Sequence, residues 1–214
     1  MHKALQARAV RVVKTLQEVT KNMQQPLVNE IIKDFGKDPF LILISCLLSL
    51  RSRDTGTLPV SRHLFSNAKT PQEILAIPIP KLEKIIYSVN YYKNKARTLH
   101  EVSRIIIKDF NGKVPNTESE LLSIKGVGPK TANLVLGLAF DIPAICVDVH
   151  VHRLSNLMGL IKTKTVEETE QVLKKLLPKE YWIEWNRLLV IWGQNFKNPA
   201  FENSTNPDVS KLYH

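Results

Sequence analysis

Apolar residues recur at steps of three and four along most of this chain, and that spacing predicts helices. Leu5, Ala9, Val12, Leu16, Val19 and Met23 form one such stripe near the start. Residues 40–50 (FLILISCLLSL) are almost all apolar, which predicts a helix at the centre of a core. Helix-starting residues stand ahead of several of these runs. Asp38-Pro39 places an N-cap and a first-turn proline before the apolar run. Thr70-Pro71-Gln72-Glu73 reads as a capping box, and residues 117–120 (TESE) and 165–168 (TVEE) repeat it. Prolines at 59, 78, 80, 115, 143 and 178 mark expected breaks. The nearest approach to strand alternation is residues 147–151 (VDVHV). The expected fold is therefore all-α, with the polar segment 198–206 (NPAFENSTN) running as coil.

Charge adds a partner class. Thirty Lys and Arg against 20 Asp and Glu leave a net charge of +10 in 214 residues. That balance favours a polyanion, either nucleic acid or an acidic membrane surface. No run approaches the roughly 18 apolar residues that cross a bilayer. Cys46 and Cys146 both sit in apolar runs and have no CxxC partner. Disulfide frameworks and zinc sites are disfavoured, and buried thiols in a reducing compartment are expected. His2, Lys3, Arg8, Arg11 and Lys14 precede the first acid, Glu18, as in a transit peptide. The apolar stripe through the same residues instead favours a packed helix.

Candidate chemistry concentrates in residues 124–150 (IKGVGPKTANLVLGLAFDIPAICVDVH). Gly126 and Gly128 allow a sharp turn with outward N–H groups, and Pro129 suits the first position of the helix that follows. Such a helix start, with Lys125 beside it, suits a phosphate. Residues 79–99 (IPKLEKIIYSVNYYKNKARTL) echo the arrangement of helix, tight turn and helix.

The hairpin, Lys130 behind it and VDVH downstream resemble the endonuclease III branch of the helix-hairpin-helix DNA glycosylase superfamily. The 18-residue step from Lys130 to Asp148 (148 − 130) is that family's spacing. PFLILISCLLSLRSRD resembles its central helix and the loop after it, and YYKNKA its second DNA-facing loop. The resemblance implies two closely packed helical lobes with a DNA-binding cleft between them. Residues 26–136 would form a barrel lobe that includes the hairpin, and residues 1–25 plus 137–214 the second lobe. It implies DNA contacts at Lys125, Gly126, Val127, Gly128, Arg51, Tyr91 and His150. It also implies a monovalent cation at the carbonyls of Leu122, Ile124 and Val127.

Partial desolvation at a helix start favours a neutral amine, and a neutral Lys130 is a nucleophile for the sugar C1′ of a flipped nucleotide. Asp148 could stabilise the oxocarbenium-like charge or help deprotonate the nucleophile. Each residue also has a plainer reading: Lys130 as a phosphate contact, Asp148 as the N-cap of the helix after it. His150 and His152 form an H-x-H with no third ligand nearby, so no metal is expected there.

Three features depart from the family. Its iron–sulfur cluster needs four cysteine thiolates, and no cysteine follows Cys146 here, so no cluster is expected. Packing of Trp192, Phe196, Phe201 and Tyr213 is expected to hold the tail instead. Arg51 and Tyr91 stand where the family often has glutamine and leucine, as an arginine that could fill a vacated stack and a tyrosine that could wedge a base step. Lys125 replaces a proline that often precedes the hairpin. The expected activity is a DNA glycosylase with AP lyase activity on oxidised pyrimidines, acting as a monomer on damaged or abasic double-stranded DNA, with no membrane partner. It would work in the cytoplasm of a prokaryote, or in the nucleus or mitochondrion of a eukaryote. Alternatives are an enzyme acting mainly on abasic sites or uracil or thymine mismatches, and a non-catalytic DNA-binding module.

Overall fold

The computed structural model describes residues 2–52 and 54–195. The described residues divide into two compact units, one formed by residues 2–25 and 143–195, the other lying within residues 26–142. Helix α1 (His2–Thr20) opens the first unit. The second holds α2 (Leu27–Phe35), α3 (Pro39–Ser49), α4 (Asp54–Asn67), α5 (Pro71–Ala76), α6 (Ile79–Ile85), α7 (Tyr92–Phe110), α8 (Glu118–Ser123) and α9 (Pro129–Phe140). Helices α10 (Val149–Leu157), α11 (Val166–Leu176) and α12 (Trp182–Asn195) complete the first, with a 3₁₀ turn at Lys179–Tyr181. No strand occurs among the described residues, and the fold is all-α. No helix among them is long and apolar enough to cross a membrane. The division falls after Ile142 rather than at 136, a position inside α9.

In the unit of residues 26–142, α3 is the hub. Residues 40–48 are all buried, because α2, α4, α7 and α9 pack around them. The Asp38 carboxylate caps α3, accepting from the N–H groups of Phe40 (2.8 Å) and Leu41 (2.9 Å). A full capping box starts α5: Thr70 accepts from the Glu73 N–H, and Glu73 accepts from the Thr70 N–H. The Lys69 N–H donates to the same carboxylate, and these bonds hold Glu73 below the ordinary carboxyl range.

The other two boxes close differently. Thr117 and Thr165 accept from the N–H groups of Glu120 and Glu168 as expected. The return bonds move, however: Glu120 takes the Thr117 hydroxyl, and Glu168 takes the N–H of Lys164, one residue before the cap. Pro59 does not break the chain; it lies inside α4. Its ring is exposed, on a side where a carbonyl deprived of its helical partner can be hydrated.

In the other unit, Ala9, Val12, Val13 and Leu16 of α1 join a core with Val151, Leu154, Leu173, Trp185 and Trp192. Leu5, Val19 and Met23 pack at its margin, so the basic N-terminal segment is a packed helix. Arg8 donates to the carbonyl of Met158 (2.7 Å), which makes one of those cations structural. Trp192 is buried in α12; Phe196, Phe201, Tyr213 and the expected coil of 198–206 lie outside the described residues.

Candidate functional site

The hairpin joins α8 to α9. Gly126 has φ +100, and a Cβ there would lie 2.8 Å from Cγ2 of Thr98, so glycine is required twice over. Gly128 is different. It is the N-cap of α9 in extended backbone, and a Cβ there would meet open space. The turn itself does not need it, which leaves close approach from outside as its physical use.

Val127 is buried, and its N–H donates to the Ile124 carbonyl at 2.9 Å. That N–H is therefore not among the outward-facing donors expected of this turn. The same bond occupies one acceptor direction of the Ile124 carbonyl, one of the three assigned to a cation. Pro129 holds the first position of α9, where no partner for an N–H exists within the helix. Lys125 and Lys130 are both exposed. Protein burial thus does not supply the desolvation expected at Lys130. The charge of Lys130 reaches inward as well, opposing the burial that pushes the Cys46 thiol up to about 12.

Asp148, in the other unit, is the N-cap of α10. One carboxylate oxygen accepts from the N–H groups of His150 and Val151, both at 2.9 Å. The plainer reading of this residue, as a helix cap, is therefore true. His150 and His152 diverge. His152 Nδ1 pairs with the Thr169 hydroxyl (2.7 Å). The His150 ring lies over Gly193, where an added Cβ would come within 2.3 Å of Nδ1. No group of three His, Cys, Asp or Glu side chains suited to a metal occurs among the described residues.

Arg51 and Tyr91 share an uncommon backbone. Both are left-handed, with φ +54 and +59, and both side chains are exposed. Tyr91 is 62% exposed at the start of α7, so it does not cap the core.

Sequence reasoning missed Lys95. It is buried, and its Nζ donates to the carbonyls of Leu48 (2.6 Å) and Leu50 (2.7 Å) and to the Ser52 hydroxyl (2.9 Å). Burial pushes its ammonium down to about 8. A signal was present: Lys95 occupies the apolar stripe of α7, in line with Leu99, Val102 and Ile106. Asn90 adds a bond from Nδ2 to the Arg51 carbonyl (2.8 Å).

A family model described as HhH-GPD superfamily base excision DNA repair protein matches residues 44–179. The chain belongs to this superfamily. Within it, Endonuclease III of Thermotoga maritima is 43% identical over 182 residues, covering 83% of this chain and 85% of that relative. An endonuclease III in non-covalent complex with DNA superposes with a TM-score of 0.82 at 30% identity, covering 96% of this chain and 94% of that one. A second, trapped as a covalent endonuclease III–DNA intermediate, gives 0.81 at 29% identity over 98% of this chain and 99% of that one. The HhH-GPD match spans the hairpin, Lys130 and Asp148 together. The two cysteines of this member, Cys46 and Cys146, are both buried, neither is in a disulfide, and none follows Cys146.

Proposed function

We propose that this protein is a base excision repair DNA glycosylase with AP lyase activity, using Lys130 as nucleophile. The observation that carries the reading is an exposed primary amine at the second position of α9, directly behind a turn whose Gly128 leaves the backbone open to approach. A duplex phosphate at that helix start would be held by N–H groups and Lys125.

The neutral Nζ attacks C1′ of a flipped nucleotide, and the N-glycosidic bond breaks with its electron pair leaving on the base, which takes up a proton. The amine sheds its protons as the sugar ring opens to a C1′ Schiff base. Loss of a C2′ proton then expels the 3′ phosphate, and water hydrolyses the imine to free the lysine. Asp148 would carry the opposing charge while C1′ is cationic. Arg51 and Tyr91 would enter the duplex, the guanidinium toward the vacated stack and the ring into a base step. Oxidised pyrimidines are the proposed substrates, the protein acts as a monomer, and it works without an iron–sulfur cluster.

Borohydride trapping on duplex DNA with one abasic site tests the nucleophile. Wild type should form a covalent adduct that Lys130→Ala abolishes while DNA binding persists. Binding without any adduct would leave only a DNA-binding module. Asp148→Asn keeps a good N-cap, so it should leave stability within about 0.5 kcal/mol while lowering base release by about a hundredfold. Full turnover in that variant would remove Asp148 from the chemistry. A panel of single-lesion duplexes, scored separately for base release and nicking, separates oxidised pyrimidines from uracil and thymine mismatches.

A further inference from the structure

The two exposed left-handed residues are tied together from beneath. Four donor hydrogen bonds run from the segment that carries Tyr91 to the segment that carries Arg51. Three come from Lys95 Nζ, to the Leu48 carbonyl, the Leu50 carbonyl and the Ser52 hydroxyl. The fourth comes from Asn90 Nδ2 to the Arg51 carbonyl itself. Asn90 is the residue immediately before Tyr91, and Leu50 and Ser52 flank Arg51. The acceptors near Leu48 lie at the C-terminal end of α3, where helix carbonyls lack partners and a cation is favoured.

A left-handed arginine and a left-handed tyrosine are each strained on their own and persist only where their surroundings fix them. The Asn90 bond fixes the peptide that leaves Arg51, and the Lys95 bonds fix the peptide that enters it and the Ser52 side chain that follows. We infer that Asn90 and Lys95 are positioning residues that yoke the Arg51 turn to the Tyr91 turn, so that the two side chains meet a duplex as one rigid element. Neither touches the reacting atoms; both act through Arg51 and Tyr91. This rests on the proposal that those two side chains enter DNA, and it makes a separate claim, that their contributions are coupled by the yoke.

The test is a thermodynamic cycle read by binding to a duplex with a single tetrahydrofuran abasic analogue, which Schiff-base chemistry cannot consume. Arg51→Ala, Tyr91→Ala and the double variant are compared in the parent and in an Asn90→Ala background. In the parent, the second substitution should add little to the loss caused by the first, with a departure from multiplicative behaviour of about fivefold or more. With Asn90→Ala the two losses should multiply. Asn90→Asp, similar in shape but unable to donate, should behave as Asn90→Ala does. Lys95→Met gives a second route to the same loss of coupling, and the exposed Asn90 variants carry the test if the buried substitution does not fold.

Multiplicative losses in the parent, or coupling that survives Asn90→Ala, would overturn the yoke. A wild type that binds the abasic analogue no better than undamaged duplex would sink the parent proposal instead. A retained abasic preference with independent losses sinks only the coupling.

Discussion

The chain enters α7 and α9 through two turns, and each holds one residue in the left-handed region: Tyr91 before α7 and Gly126 before α9. At Gly126 a side chain is excluded, since its Cβ would strike Thr98, and Gly128 two residues on is bare as well. The hairpin therefore presents backbone and helix end, which suit a phosphate whatever the base attached to it. At Tyr91 the same backbone region is occupied by a large ring, most of it in solvent. This turn tolerates strain in order to display a side chain, which suits a base face or a gap in a stack. Similar local geometry thus serves opposite ends: one turn is stripped so that something can come close, the other is loaded so that something can reach out.

The largest expected effect breaks the hairpin side of this contrast. Gly126→Ala combines left-handed strain with the Thr98 contact and should destabilise the protein by about 1–3 kcal/mol in urea unfolding. Tyr91→Gly sharpens the other side. Relief of left-handed strain, about 1–2 kcal/mol, outweighs the added chain entropy of glycine, about 0.5–1 kcal/mol, so stability should hold or rise by up to about 1 kcal/mol. Affinity for the abasic analogue should fall in the same variant; a loss of stability there would mean that the ring belongs to the fold. The smallest change in stability is expected for Gly128→Ala, within about 0.5 kcal/mol, with weaker binding to DNA of any sequence. If Gly126→Ala and Gly128→Ala destabilise equally, the distinction between a turn glycine and an approach glycine fails.

Much of this was legible before any coordinates. Asp38, Thr70 and Asp148 cap helices because a short polar side chain before an apolar stripe has few better uses, and that signal is local. The hairpin was legible for the same reason. What escaped depended on distant partners. The return bonds of Glu120 and Glu168 were decided by which donor lay closer, which the TxxE pattern does not encode. Pro59 sits inside α4 because its exposed side faces water, a fact of packing rather than of sequence. Gly128 and Gly126 read alike in the chain and differ once the turn sets Gly126 left-handed and brings Thr98 beside it. Lys95 was hidden by its charge: a lysine invites a surface assignment, although its place in the apolar stripe argued for the interior.

Lys95 also gives the protein an unusual response to mild alkali. Its ammonium is held at about 8, while the unfolded chain keeps that proton to about 10.5. Between those values the unfolded state binds more protons than the folded one, so this group's contribution to resistance against denaturation should increase as pH rises from about 8 toward 10.5. Thermal melts across that range would register the trend, and Lys95→Met should flatten it. The neutral amine keeps two hydrogens for the two carbonyls, and its lone pair can accept from the Ser52 hydroxyl, but all three bonds lose their charge assistance. The same loss of a proton that raises this group's contribution to stability would therefore weaken its hold on the turn that carries Arg51.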